Sequence, residues 1–454
     1  MKTGNTNIKK MHSAAHRLDP SLHLSEGVKV REQLHDLPFE LKSLVSVTES
    51  IFLGNIFSRI WVKDKEHGIP YLAASDTVLA NLNTGQFLAK KQALDMPYLV
   101  LKSGWILITC SGTLGNTSYT NNNYAGKIAT HDLIRVIPDE KQLPGGYVYA
   151  FLSGRYGYYQ ITQSQFGGVV KHINAAQAGQ IQIPILSTNI IEKVDAMIKE
   201  SARLREEAAD ALEKAKEFFD DHIHLNKQPE ITKTVSIKNI LSSQNKRFEA
   251  NYHSSVGATY EKYIVDNFIT KPLSFFYNSI SRPDLFKRSY VSAESGLMFF
   301  GSSELFMATP QSNKFVSKRT PCIESLVLEE GWVLLPRSGT IGDVAYATSQ
   351  HAQTLASEDV IRLKPDNILR GTYAYAFLSS KAGKSILQKA IFGSVIQHIE
   401  PPMLNIIQVP IFEDKVEEIA NLVISGSKKL GKAGELELEA IAMVEQEIEN
   451  WSKE

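Results

Sequence analysis

The chain has 454 residues, 43% hydrophobic and 22% charged, with a formal net charge of zero, the balance of a soluble globular protein with room for roughly two to four domains. Its two cysteines, Cys110 and Cys322, stand without CxxC or Cys/His spacing, which argues against a disulfide framework or a zinc site and fits a reducing cytoplasm. The N-terminal stretch lacks the apolar core of a signal peptide, and no run of about 18 apolar residues occurs, so no membrane insertion is expected.

In chain order, residues 1–16 read as an N-terminal extension. A first block, 17–187, opens on "RLDPSLH" (17–23) and carries "GIPYLAASD" (68–76), then "GWILITCSGTLGNTSY" (104–119). The last of these reads as a strand, a Gly-bracketed turn and a second strand. "SYTNNNYAGK" looks like a hairpin loop, "HDLIRVIPD" (131–139) contains a strand, "GYVYAFLSGRYGYYQITQ" is helix-like, and "FGGVVKHI" (166–173) and "IQIPI" (181–185) close the block. Over 188–226, apolar residues at Ile191, Val194, Ile198, Ala202, Ala208, Leu212, Ala215 and Phe219 predict a long amphipathic helix. A second block, 227–411, repeats the order: "RFEANYH" (247–253), "GLMFFGSSE" (296–304), "GWVLLPRSGTIGDVAY" (331–346), "EDVIRLKPD" (358–366), "FGSVIQHI" (392–399) and "IQVPI" (407–411). The final segment, 412–454, predicts a second helix through Val416, Ile419, Val423, Ile441, Val444, Ile448 and Trp451, with Gly426, Gly431 and Gly434 expected to loosen its middle.

The internal repeat, offset by about 226 to 230 residues, is therefore the organising feature. The predicted fold is α+β: two tandem α+β blocks joined by two long helices that pair antiparallel, like a coiled coil, with pseudo-two-fold symmetry. Charge alternates with the repeat, about +3 over 40–187, −4 over 188–225, +3 over 246–411 and −6 over 412–454. A helix of about 35 residues rises about 50 Å, comparable to roughly 15 base pairs of duplex.

No catalytic or metal-ligating pattern stands out. The SGTxG turns lack the Lys of a P-loop and the central Ser of a nucleophile elbow. No HExxH, NPPY-like or DPPY-like segment, or nuclease carboxylate–lysine pattern is present, and His172, His398, Asp132 and Asp359 read as packing or capping residues. Where the frame is shared, its neighbours differ: Cys110 faces Arg337, Asn116 faces Asp343 and Lys171 faces Gln397. Small hydroxyls at Ser111, Thr113, Ser338 and Thr340 sit beside the turn glycines. Cations on polar loops are Lys63, Lys65, Lys90 and Lys91 in the first block, and Arg282, Lys287, Arg288, Lys314, Lys318 and Arg319 in the second. These residue types suit phosphate and base-edge contacts, so together with Asn116, Lys171, Arg337 and Gln397 they form the candidate DNA-binding set.

The order of these motifs, twice over, resembles the specificity (S) subunits of type I restriction-modification enzymes. The resemblance implies that 17–187 and 227–411 are target-recognition domains, each reading one half of a bipartite site in double-stranded DNA. The helices would set the gap and dock two DNA adenine methyltransferase subunits. It implies no catalysis and no cofactor in this chain, with S-adenosylmethionine belonging to the methyltransferase partner, and ATP and Mg to restriction/translocase subunits that can join. Two other readings fit the same repeat: the specificity subunit of a related enzyme that cuts at a bipartite site, and a tandem-repeat protein-binding adaptor without a DNA role.

Overall fold

Short apolar runs, buried along nearly their whole length in the central strands, and Gly-bracketed turns fold each block into short, mostly antiparallel strands backed by helices. The computed structural model describes residues 25–111, 114–163, 172–225, 234–243, 246–339, 341–393 and 397–451; the "RLDPSLH" segment lies outside them. Two compact units result, one from residues up to Glu206 together with those from Ala433 onward, the other Glu207–Lys432.

The first unit runs α1 (Glu26–His35), β1 (Leu41–Ser43), β2 (Thr48–Phe52), β3 (Trp61–Val62), β4 (Gly68–Leu72), β5 (Phe87–Ala89), α2 (Lys90–Leu94), β6 (Ile106–Thr109), β7 (Thr117–Tyr119), β8 (Ile128–Ala129), β9 (Leu133–Pro138), α3 (Gly145–Ser153), α4 (Arg155–Gln163), α5 (Ala175–Gly179) and β10 (Gln182–Pro184), then enters α6 (Thr188–His222). One sheet has the order β2-β9-β6-β7 and is antiparallel throughout; a second has the order β3-β5-β4-β8, in which β8 pairs parallel to β4. β1 pairs with β10, so the start and end of the block close on each other. The Tyr147 hydroxyl, donating to the Pro184 carbonyl at 2.6 Å, pins α3 to that closure.

The second unit continues with α7 (Ile237–Ser242), α8 (Ala250–Ser254), α9 (Val256–Asn267), β11 (Thr270–Pro272), β12 (Ser279–Ser281), β13 (Gly296–Phe300), β14 (Phe315–Ser317), β15 (Val333–Pro336), β16 (Ala345–Tyr346), β17 (Leu355–Ala356), β18 (Val360–Lys364), α10 (Ile368–Ser379), α11 (Lys381–Ala390), α12 (Pro401–Asn405) and β19 (Gln408–Pro410), then α13 (Val416–Trp451). Its sheets follow the first unit, β12-β18-β15-β16 antiparallel, β14-β13-β17 with the last pair parallel, and β11 closing on β19, except that an isolated bridge between Tyr290 and Val316 stands in place of the β3-β5 pair. Tyr373 donates to the Pro410 carbonyl at 2.9 Å, as Tyr147 does to Pro184. Gly27 in α1 and Gly257 in α9 mark the same helix crossing. A Cβ at either would collide with a carbonyl of the facing helix, that of Tyr159 in α4 or Ser385 in α11.

Both long helices divide between the units. In the first unit, Ile191, Val194, Ile198, Ala202, Ala440, Val444 and Ile448 share one core with α3, β6 and β9, and Ile441 packs against it. A buried set joins α6, α13 and α3: the Arg205 guanidinium pairs with the Glu437 carboxylate, which also accepts from the Tyr149 hydroxyl. Ser201 Oγ donates to the Ala433 carbonyl at 2.7 Å. In the second unit Glu207 pairs with Lys429 at 2.8 Å, Gly426 lies against Ala208 and Leu212, and Phe219 meets Phe412, so the two helices run antiparallel there. Phe219, Ile419 and Val423 are buried, with Leu212 and Val416 packed at the edge, and Phe219 also rests on Tyr373 and Phe377 at 5.3 and 5.5 Å between ring centroids. The stripe thus seals the helices to each other and to their own unit.

Two expectations change. Gly426, Gly431 and Gly434 do not loosen α13, which is continuous. Missing side chains let neighbours in: a Cβ on Gly426 would sit 3.1 Å from the Ala208 carbonyl, and one on Gly431 2.6 Å from Ser349 Oγ. "SYTNNNYAGK" is not a hairpin loop either, because β7 pairs with β6 whereas β8 pairs with β4. It crosses between sheets and docks on α6: Asn121 donates to the Ala202 carbonyl (3.0 Å), and Asn122 donates through its backbone and side chain to Glu206 (2.7 and 3.0 Å).

Candidate nucleic-acid interface

Motifs separated by about 60 residues meet at one place in each unit. In the first, Ser111 bridges to His172, and the Ile173 N–H donates to the Cys110 carbonyl at 3.2 Å. In the second, Ser338 bridges to His398, and the Ile399 N–H donates to the Arg337 carbonyl at 3.0 Å. The repeated SGTxG turn is therefore one half of a feature whose other half is the repeated "HI" segment. Gly115 has φ +93° and Gly342 +111°, conformations in which an L side chain is strained, and they lie against Tyr158 of α4 and Gln388 of α11 respectively. Thr109 closes the first turn, accepting from the Asn116 N–H on its hydroxyl (3.0 Å) and from the Gly115 N–H on its carbonyl (3.0 Å). Thr113, Lys171 and Thr340 lie outside the described residues.

In the second unit the turn anchors a charged network. Arg337 donates from Nε to Glu400 (2.8 Å) and from NH1 to Asp359 (3.2 Å); Ser338 Oγ donates to the other Asp359 oxygen (3.1 Å); Arg282 reaches the other Glu400 oxygen (3.2 Å). Burial opposes the charge on Arg337, but Glu400 and Asp359 outweigh it and raise its pKa; burial likewise opposes the Glu400 charge, and Arg337 and Arg282 outweigh it and lower its pKa. One residue before Asp359, Glu358 accepts from Arg288 at 2.7 and 2.8 Å, and Arg288 stacks over Phe299 with its guanidinium carbon 5.1 Å from the ring centroid. Arg282, Arg288, Arg337 and Ser338 are thus brought together. Lys287 and Gln397 are exposed neighbours in sequence. Lys314, Lys318 and Arg319 are exposed around β14, where Lys318 approaches the Glu294 carbonyl at 3.5 Å, and have no hydrogen bond to that network among the described residues.

The first unit keeps the frame and changes the chemistry. Cys110, at the place of Arg337, is buried, and burial pushes its thiol up to about 11, so it stays protonated at neutral pH. Asn174, at the place of Glu400, instead caps α5 by accepting from the Gln177 N–H at 2.8 Å. Lys63, Lys65, Lys90 and Lys91 are exposed around the β3-β5-β4 sheet; Lys90 donates to the Glu66 carbonyl at 2.6 Å. Among the described residues none of these lysines hydrogen-bonds to Ser111 or Asn116, so they are separate from the turn. Among the described residues the exposed trio Asp64, Glu66 and His67 brings three ligand-type atoms within 4.8 Å. Asp64 accepts there from the His67 ring (2.8 Å) and backbone N–H (3.1 Å), a local turn that accounts for the cluster without a cation.

Sequence reasoning passed over the residues that build the frame. Arg135 and Arg362, the arginines of "LIRVIPD" and "VIRLKPD", are fully buried. Arg135 donates to the carbonyls of Ala129, Thr130 and Leu133 (2.9 to 3.1 Å), and Arg362 to those of Ala356 and Val360, at 2.9 Å and 2.6 Å. Each ties the loop carrying Asp132 or Asp359 back onto its own strand. Burial pulls both guanidiniums down to about 10, still charged at neutral pH. Both arginines fall inside a repeated segment, which is a signal in the sequence, but an isolated Arg ordinarily reads as surface.

No family model and no curated protein matches the chain. Among solved structures it is similar to the type I restriction-modification system S subunit from M. genitalium, with 13% identity over 92% of this chain and 93% of that one and a TM-score of 0.32. It is also similar to a chain from a structure of the type I R-M system (13% identity, 92% and 97% covered, TM-score 0.28) and to the HsdS subunit from Thermoanaerobacter tengcongensis (13%, 90% and 97%, TM-score 0.27).

Proposed function

We propose that the chain is the DNA sequence-specificity subunit of a type I restriction-modification complex, each unit reading one half of a bipartite duplex site. The observation that carries this reading is the repeat at the turn: the same backbone junction, held by the same buried arginine, bears Cys110 and Asn174 in one unit and Arg337 and Glu400 in the other. One frame carrying two unlike sets of donors and acceptors is what recognition of two unlike half-sites requires. The motif order that resembles type I S subunits points the same way.

In this reading the chain is non-catalytic. α6 and α13 set the gap between half-sites and dock two adenine methyltransferase subunits, which bring S-adenosylmethionine; restriction/translocase subunits using ATP and Mg can join them. The zero net charge fits a division of labour in which partners share the phosphate contacts. Among the described residues no helix is long and apolar enough to cross a membrane, and a cytoplasmic setting belongs to the same proposal.

Footprinting of genomic fragments with the chain and its co-expressed methyltransferase tests the reading. Protection of two short specific blocks separated by a fixed unspecific gap is the expected result. Absence of sequence-selective protection on every fragment would refute it.

A further inference from the structure

A second pair of equivalent segments flanks the turn. Residues 56–59 read Ile-Phe-Ser-Arg and 285–288 read Leu-Phe-Lys-Arg. In the first unit the Arg59 guanidinium lies over Phe57 and Tyr71, 5.6 and 5.5 Å from the centroids; it donates from Nε to the Tyr71 hydroxyl (2.6 Å) and from NH2 to Thr130 Oγ1 (3.1 Å). In the second, Arg288 lies over Phe286 and Phe299, 6.0 and 5.1 Å away, and donates from NH2 to Ser357 Oγ at 3.3 Å. Tyr71 and Phe299 hold the same place in β4 and β13, and Thr130 and Ser357 the same place two residues before the aspartate of the turn network. Two rings and a hydroxyl fix the plane of each guanidinium. The planar fork is thereby pre-ordered for a bidentate acceptor. Three residues before each arginine stands a large aliphatic side chain left in solvent, Ile56 at 85% and Leu285 at 82% exposure. An aliphatic side chain so exposed at the same place in both units buries little of its surface in the chain and suits contact with a thymine methyl or a sugar face.

The units differ in one neighbour. Glu358 follows Ser357 and holds Arg288 in an ion pair at 2.7 Å. His131 follows Thr130 and turns its ring edge-on to Phe57, 6.1 Å between centroids. Among the described residues Arg59 forms no ion pair with a carboxylate, although Asp132 lies 3.6 Å from the His131 ring.

We infer that Ile56–Arg59 and Leu285–Arg288 are DNA-contacting loops, and that Arg59 supplies a cationic fork not neutralised by a carboxylate in the first unit whereas Glu358 restrains its counterpart in the second. This rests on the DNA reading of the units. It assigns the larger share of salt-dependent affinity to the first unit, because Arg288 must exchange Glu358 for a nucleic-acid acceptor before it contributes.

The test is fluorescence anisotropy with a labelled duplex containing the footprinted site, using the full chain with its methyltransferase partner at several salt concentrations. Arg59→Gln is expected to weaken binding about tenfold and to lower the salt slope by about 1. His131→Glu, which gives Arg59 the neighbour that Arg288 has, should reproduce most of that loss. Glu358→Gln should tighten binding several-fold and steepen the slope. Ile56→Ala, at a position left mostly in solvent, should weaken binding without moving the slope, which separates contact from folding. Wild-type affinity and slope for both Arg59→Gln and His131→Glu would overturn the assignment while leaving the DNA reading intact. If the wild-type complex shows no selective binding to the duplex, the DNA reading falls and the loops' role falls with it.

Discussion

The two units share their frame through backbone bonds and differ through side-chain bonds. Arg135 and Arg362 hold carbonyls, and so do Tyr147 and Tyr373. Carbonyls are present whatever the sequence, so such residues are independent of their neighbours' identity. By contrast Arg337 is bound by Glu400 and Asp359. Its counterpart Cys110 is buried, and Asn174, at the place of Glu400, is occupied with a helix cap. At this junction Arg337 and Glu400 differ together from Cys110 and Asn174, so neither unit holds one of the pair without the other. This is how one scaffold carries two chemistries without refolding.

The largest expected effect comes from breaking the shared frame. Arg362→Leu leaves the Ala356 and Val360 carbonyls buried without their donor, and should cost on the order of 3 to 5 kcal/mol; Arg135→Leu should do the same in the first unit. Hydrogen exchange on the full chain checks this, with loss of protection concentrated in the unit carrying the substitution. Equal loss in both units would mean that the frame is not local.

Next in size is a difference between the units. His351 is buried, accepts the Thr348 N–H on Nδ1 (3.1 Å), and faces the Leu305 carbonyl with Nε2 (3.1 Å); burial brings its pKa down from 6.5 to about 4. At the equivalent place Tyr124 donates to the Thr77 carbonyl at 2.6 Å, and its burial pushes the phenol up to about 12. Above about pH 6.5 the histidine is neutral in both folded and unfolded chains and has no effect. As pH falls from there toward 4, the unfolded chain takes up a proton that the folded one refuses, and stability drops by up to about 3 kcal/mol. Acid should therefore loosen the second unit through this residue, and His351→Tyr should flatten that part of the pH dependence. An unchanged profile in the variant would remove His351 as the cause.

The smallest effect sharpens the idea of sets. Arg337→Cys alone should cost about 1 to 3 kcal/mol, because Glu400 loses its main partner. Adding Glu400→Asn, which transplants the first unit's pair, should recover most of that cost, and the double-mutant cycle in urea unfolding measures the coupling. Additive losses would show that the two residues are independent.

Much of this was legible in the sequence, for physical reasons. The repeat exposed the two blocks, and the apolar spacing in 191–219 and 416–451 exposed both helices. Chemistry at contact range was less legible. Arg59 went unnoticed because "NIFSRI" and "DLFKRS" share little besides Phe and Arg, and its partners Tyr71 and Thr130 lie 12 and 71 residues away. Charge and proximity in sequence mark out the lysines of the first unit but do not reveal that Lys90 serves the Glu66 carbonyl. Helix propensity marks the glycines of α13 as weak points, whereas Gly426 and Gly431 give room to Leu212 and Ser349.

Mapping methylated adenines in DNA from cells that express the chain with its methyltransferase tests most directly whether the two units read different halves of one DNA site. A bipartite motif with two unlike specified halves and a constant gap is the predicted result, one half changing when residues 17–187 are exchanged for the equivalent block of another such chain. Methylation without a bipartite motif, or both halves changing together, would contradict it.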